Sequence, residues 1–366
     1  MMTYLKTAAK TDTRPTSINK GDSTMLKHLK VAASAAIIAG VALGGAHAAE
    51  VNTIAILTPE EGTDFGWNQQ GVEAARAAAE ATGVELITAE GLGYGDIRPT
   101  LRELAEEGAD LMIAHASGYN TSAPEIAEET GVPVAIVDTP TALKEGLIAD
   151  YTLSGHEGAY LAGRLAAKMT RSNTVGIVVS GEPPSWNSQS AGFAMGVEAE
   201  KPDVTVTYAV IGPAAYSDAA GGRRVTESVI AAGADVIFGQ GNGSSFGMLQ
   251  AVETTPAPDG GKVWFIDVIG DKSSVAGDVL LSSVVWDITP VYTAMIEDMR
   301  DDTFGTKSYA IGLEDDSVRL LETDNIPDDV WSQIMEIRED IVAGEIEVEP
   351  VFEASAVREL MTNVEE

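Results

Sequence analysis

The chain repeats itself once. Glu107–Gly118 (EGADLMIAHASG) returns as Ala232–Gly243 (AGADVIFGQGNG), and Val132–Asp138 (VPVAIVD) returns as Gly261–Asp267 (GKVWFID). Thr53–Leu57 (TIAIL) corresponds to Thr174–Val178 (TVGIV). Trp67–Ala74 (WNQQGVEA) corresponds to Trp186–Ala199 (WNSQSAGFAMGVEA), which carries a short insertion. All four correspondences run in the same order. A spacing of about 120 residues is too long for a solenoid and calls for two similar lobes of ordinary domain size.

Within each lobe, β-branched runs alternate with Ala-rich helical stretches. The strand-like runs are Thr53–Leu57, Glu85–Ala89, Leu111–Ala114, Val134–Val137, Val175–Val179, Val204–Val210, Val236–Phe238 and Val263–Ile266. Helical patterns fall between them at Gln70–Thr82, Arg98–Glu107, Pro124–Thr130, Tyr160–Met169 and Arg224–Ala232. This alternation predicts an α/β fold with parallel sheets and helices on both faces. Strands covered on both faces read as near-continuous Val/Ile/Leu runs, as these do.

The N-terminus reads differently. Met25–Lys30 is a basic stretch, Val31–Gly45 an apolar run, and Ala46-His47-Ala48 an A-x-A site. This is the pattern of a cleaved signal peptide over 25–48, preceded by a polar extension, so that Met25 is the expected start. The apolar run is too short to span a membrane. With no Cys in the chain, neither a lipid-bearing Cys nor a disulfide is expected, and the protein should be free in the periplasm. The formal net charge is −33, spread along the chain, and the leader carries six Lys/Arg against two Asp/Glu. Such a surface repels nucleic acid and anionic lipid.

In an open parallel sheet, ligands bind beyond the carboxyl ends of the strands. Both Trp-Asn pairs follow the first strand of their lobe and open the next helix. Two facing lobes would bring them to one cleft. Core packing alone would account for either Trp but not for the Asn after both. The residues expected to line the cleft are Glu61, Asp64, Trp67, Asn68, Ser117, Tyr119 and Asp138 from the first lobe. The second contributes Trp186, Asn187, Asn242, Ser244, Phe246 and Asp267, and Trp286 follows a further strand-like run, LLSSVVW. Aromatic faces suit rings, and carboxylates and amides suit N–H and O–H donors. Lys272 is the one cation in these motifs, so a neutral or cationic ring compound is expected rather than an anion.

Reactive chemistry is poorly supported. Gly243–Gly247 (GSSFG) fits the nucleophile elbow of a secreted serine hydrolase, but every His precedes Ser245. Gly239–Gly243 (GQGNG) has Ser244 where a dinucleotide fingerprint needs its third Gly. No Walker A sequence is present. With no Cys and scattered His, no metal or other cofactor is expected.

Five segments together, TDFGWNQQGVEAAR, HEGAYLAGRLAAK, AGFAMGVEAEKPDVTV, GADVIFGQGNG and WFIDVIGDKS, resemble the basic membrane protein family of ABC-transporter substrate-binding proteins, which includes purine nucleoside receptors. The resemblance runs over roughly Val51 to Pro350. It implies a type I periplasmic-binding-protein fold: two Rossmann-like lobes joined by three hinge crossovers and closing on a ligand. It also implies base stacking by Trp67 and Phe246, base contacts from Asn68 or Asp64 and from Asp138, and a ribose contact from Asp267. Two departures stand out. Trp286 occupies the place of a family Lys, three residues after Ser283, and Trp186 lies in a region that is usually Pro-rich.

The reading is then a periplasmic, monomeric solute-binding protein without enzymatic activity, serving an ABC permease in the inner membrane. Its first lobe covers 50–155 and 284–305, its second 156–283 and 306–350, and 351–366 forms a tail. A sugar-binding protein of the same fold is the alternative.

Overall fold

The structure, a computed structural model, describes residues 50–365. The extension and signal peptide expected over 1–48 lie outside these residues. The first lobe begins β1 (Thr53–Leu57), α1 (Trp67–Thr82), β2 (Glu85–Ala89), α2 (Arg98–Glu106), β3 (Leu111–Ala114), α3 (Ser122–Thr130), β4 (Val134–Val137) and β5 (Ile148–Thr152). The chain then crosses over. It builds α4 (His156–Met169), β6 (Thr174–Val179), α5 (Pro184–Glu200), β7 (Thr205–Val210), α6 (Ala219–Ala231), β8 (Val236–Gln240), α7 (Ser244–Thr254), β9 (Trp264–Ile269), the single turn α8 (Ser273–Ala276) and β10 (Leu280–Trp286). It returns through α9 (Thr289–Arg300) and β11 (Ser308–Ala310). A third crossing leads to β12 (Val318–Leu320), α10 (Asp328–Val342), α11 (Ala354–Glu359) and β13 (Asn363–Glu365).

The first sheet has the order β11-β5-β4-β3-β1-β2 and is parallel throughout. The second has the order β12-β10-β9-β8-β6-β7-β13, with β12 its one antiparallel member. Three crossings thus join two doubly wound lobes, as the resemblance implies. The expected boundaries shift in three places. β10 stays in the second sheet to Trp286, so 284–286, expected in the first lobe, belong to the second. β11 belongs to the first sheet, although 306–350 was assigned wholly to the second lobe. The supposed tail carries α11 and β13, and β13 extends the second sheet along β7. Three-residue strands such as SYA are too short to show a period-2 pattern.

The strands β3 and β4 are buried at every position, which explains their unbroken apolar sequences. In α1 the buried Gly71, Val72, Ala75, Ala78 and Ala79 recur at helical spacing. Gly83, at φ 72°, ends the helix in the left-handed conformation. Helices α4 and α5 meet backbone to backbone. A Cβ on Gly163 would strike the Phe193 carbonyl, and one on Gly196 the Tyr160 carbonyl. The main apolar cluster runs from Ile54 and Ala78 through Tyr292 and Trp286 to Val175 and Phe238, so one core spans the crossovers.

Candidate functional site

The loops at the carboxyl ends of β1, β2, β3 and β4 face those after β6, β7 and β8 across a narrow cleft. Trp67, Tyr94, Ser117 and Asp138 line it from the first lobe, and Ser185, Trp186, Tyr216 and Asn242 from the second. Pro59, Ala116, Val137 and Pro183 complete the wall, so no Lys or Arg is among its described lining residues.

Trp67 is the first residue of α1 and is fixed from behind. Its indole N–H donates to the His115 carbonyl at 2.9 Å, and its ring stacks on the His115 ring, centroids 4.0 Å apart and 9° from parallel. His115 Nε2 lies 2.9 Å from the Trp67 carbonyl, while its Nδ1 meets the hydroxyls of Tyr151 at 2.9 Å and Tyr292 at 2.8 Å. A carbonyl only accepts, so Nε2 carries the proton and Nδ1 accepts from a tyrosine hydroxyl. Burial pushes the His115 pKa down to about 4, the Trp67 carbonyl and Asp64 opposing it, and the imidazole is neutral at physiological pH. Trp286 packs edge-on against Trp67 at 6.4 Å.

Asp138 follows β4 with φ 54°, a left-handed conformation that Asp tolerates better than most residues. Its Oδ1 is shut off from solvent and has no hydrogen-bond partner. Burial pushes the Asp138 carboxyl up to about 7. Ser185 pulls it back and Asp150 adds to the rise. Asn242 Oδ1, also on the cleft wall, is likewise buried and unpaired. On the second lobe, Trp186 meets Tyr216 edge to face at 5.4 Å, and Tyr216 lies 5.6 Å from Tyr94 of the first lobe.

The lobes also touch beside the cleft. Lys272 Nζ donates to the Phe65 carbonyl at 3.1 Å, and the Ser217 hydroxyl donates to Glu60. Phe65 meets Phe246 edge to face at 6.4 Å. Phe65 and Ile269, which flank this contact, both have positive φ, 51° and 70°. For the β-branched Ile269 this is a strained backbone.

Of the expected lining residues, Trp67, Ser117, Asp138, Trp186 and Asn242 reach the cleft. The others are not among its lining. Asp64 caps α1, accepting from the backbone N–H groups of Gly66, Asn68 and Gln69 at 2.9–3.1 Å and from the Asn68 side chain at 2.8 Å. Asn187 donates to the carbonyls of Glu182 and Phe352 at 3.1 and 2.7 Å. Adjacent helical residues point about 100° apart, so a Trp turned to the cleft sends the next Asn elsewhere. The Trp-Asn pairs are therefore not matched jaws. The Tyr119 hydroxyl donates to the Gly93 carbonyl at 2.6 Å. Phe246 sits on the rim, 37% exposed. Asp267 is fully buried and ion-paired with the equally buried Lys272. Trp286 is wholly buried behind Trp67. Glu61 lies beside Gly91, and Ser244 is buried at the start of α7. Ser245 of the GSSFG segment donates to the Gly241 carbonyl inside the first turn of that helix.

Tyr94 and Tyr216 were not anticipated. The repeat itself contains them: Tyr94-Gly95-Asp96 and Tyr216-Ser217-Asp218 are Y-x-D segments that follow β2 and β7, equivalent strands of the two lobes.

The chain is similar to known proteins over most of its length. A purine-binding protein of Brucella abortus (strain 2308) is 26% identical over 319 residues, which cover 85% of this chain and 87% of the relative. A putative ABC transporter glucose-binding protein of Haloferax volcanii is 23% identical, over 83% of this chain and 76% of the relative. An ABC transporter solute-binding protein from Aeropyrum pernix K1 superposes with a TM-score of 0.71 at 18% identity, over 84% of this chain and 96% of that one. The family described as "ABC transporter substrate-binding protein PnrA-like" matches residues 51–350, and the chain belongs to this family of solute-binding proteins.

Proposed function

We propose that the chain captures a purine base, or a planar heterocycle of similar size, between its lobes and delivers it to the membrane permease of an ABC importer. The observation that carries this reading is the placing of Trp67 and Trp186, one from each lobe, in a cleft with the unpaired Oδ1 of Asp138. The indoles supply flat apolar surface for a ring. Asp138 accepts from a ring N–H or pairs with a ring cation, and Asn242 Oδ1 accepts a second hydrogen bond. The name of the Brucella relative supports this choice. The free base fits better than the nucleoside. Asp267, to which the family resemblance assigns the ribose, is enclosed and already neutralised by Lys272. Lys272 thus supplies a cation to Asp267 in a chain whose residue 286 is Trp. Ligand bound to both lobes favours the closed arrangement, which the permease reads. The leader and the family support a periplasmic site of action.

The name of the Haloferax relative favours a second reading, a sugar. Against it, a sugar would turn hydroxyls toward Pro59, Val137 and Pro183, which offer them no side-chain partner. A thermal-shift panel on refolded, ligand-stripped protein separates the two. Ligand at 100 times its Kd adds about 2.7 kcal/mol of stability. Adenine, guanine and hypoxanthine are expected to raise Tm, their nucleosides less, and hexoses not at all. Stabilisation by hexoses alone overturns the proposal. Stabilisation by nucleosides alone overturns the exclusion of ribose.

A further inference from the structure

The family match ends at residue 350, yet the chain beyond it returns to the cleft. Two ties join this segment to the turn that presents Trp186. The Asn187 side chain donates to the Phe352 carbonyl at 2.7 Å, immediately next to Trp186. Arg358 of α11 pairs with Glu182, its Nη2 lying 2.7 Å from Oε1 and 2.8 Å from Oε2. The Glu182 carboxylate also accepts from the Tyr208 hydroxyl at 3.1 Å, and the Arg358 guanidinium lies over the Tyr208 ring at 6.0 Å. The Glu182 carbonyl in turn accepts from Asn187. Each end of the turn 182–187 is thus held from outside, and within it Pro183, Ser185 and Trp186 line the cleft.

The segment is itself anchored. Val357 is buried in the main core, and β13 runs along β7, with Thr362 N–H donating to the Val206 carbonyl at 3.1 Å. Arg358 and Glu182 also line an open groove that adjoins the cleft through Ser117, Pro183 and Tyr216.

We propose that residues 351–365 form a brace, with Arg358 as a positioning residue, that sets the Trp186 wall and thereby the affinity of the cleft for a ring. A partly exposed ion pair contributes little to stability. The effect of Arg358 is therefore read in the placing of Trp186 rather than in the melting temperature. The proposal concerns how the wall is held and does not depend on which ring binds.

The test is fluorine NMR on the full-length protein labelled with 5-fluorotryptophan, recorded without ligand. Trp186→Phe assigns the Trp186 resonance among the five tryptophans. Arg358→Ala is expected to shift or broaden the Trp186 signal while those of Trp264 and Trp331 stay in place. Arg358→Lys is expected to restore it in part, and Glu182→Gln to reproduce the alanine effect should Arg358→Ala fold poorly. With adenine as probe, Arg358→Ala is expected to raise Kd about three- to tenfold. An unmoved Trp186 resonance in both Arg358→Ala and Glu182→Gln overturns the brace. Failure of adenine to bind the parent protein counts against the purine reading, and the ligand-free spectra still decide the brace.

Discussion

At the residue scale, Asp138 is the group whose chemistry is most altered by its surroundings. Its carboxyl is raised from 3.8 to about 7, chiefly by burial. For an acid raised in the folded state, the penalty is absent below pH 3.8, grows as pH rises, and is complete above about pH 7. Asp138→Asn is therefore expected to stabilise the ligand-free protein at pH 8, by ~1–3 kcal/mol, and to leave it unchanged at pH 4. Melting curves at the two pH values check this, and equal shifts at both would refute the titration. A ligand N–H or cation that pairs with the carboxylate pulls its pKa down again. Purine affinity should then rise between pH 5 and 8, with proton release visible by calorimetry in buffers of different ionisation enthalpy. Trp67 supplies the complementary apolar face. Trp67→Ala is expected to weaken binding by ~1–3 kcal/mol. An unchanged Kd in isothermal titration would remove it from the binding surface.

At the scale of the element, α4 and α5 depend on glycine to approach each other. A Cβ at Gly163 would meet the Phe193 carbonyl, which belongs to a helical backbone and yields little. Gly163→Ala is expected to lower stability by ~1–3 kcal/mol despite the better helix propensity of Ala, as a chemical melt would show. An unchanged midpoint would mean that the helices can part. The same scale shows what was legible from residue order. The bounds of β1, β3 and β4 could be read because parallel strands covered on both faces are written in Val, Ile, Leu and Ala. β5, with IADYT, carries Asp150 in its interior and escapes that pattern. β11, β12 and β13, three residues each, are defined by the neighbours they pair with. In the cleft, Trp67, Asp138 and Trp186 were readable from their place at strand ends. Asn68 and Asn187 were misjudged because their direction depends on helical phase. Tyr94 and Tyr216 required the Y-x-D repeat to be noticed in loops whose other residues differ.

At the scale of the whole molecule, contact between the lobes passes through Lys272. It is fully buried, paired with Asp267 and bonded across the interface to the Phe65 carbonyl. Lys272→Met leaves a carboxylate enclosed without its cation and is expected to cost ~3–5 kcal/mol. The double variant Asp267→Asn/Lys272→Met is expected to regain much of that stability while lacking the interlobe bond. Small-angle scattering of the ligand-free double variant should then give a larger radius of gyration than the parent. An unchanged radius would show that Phe65–Phe246 and Glu60–Ser217 hold the lobes together without Lys272.

The crossovers also bear on the order in which the molecule can be built. The first sheet takes its edge strand from Ser308–Ala310, where the Ser308 hydroxyl donates to Asp150 at 2.8 Å, and α9 packs against α1 only after all of β6–β10 has been made. The second sheet is closed at its other edge by Asn363–Glu365. Domains of a growing chain generally fold from the N-terminus as they emerge. Here the N-terminal lobe lacks its border strand and part of its helical cover until the segment past Ser308 is available. Closing sheets over such long sequence separations is slow. Both halves therefore remain incomplete for most of synthesis, and the cleft takes its final shape only when Ser308–Ala310 and Asn363–Glu365 have joined the sheets made before them.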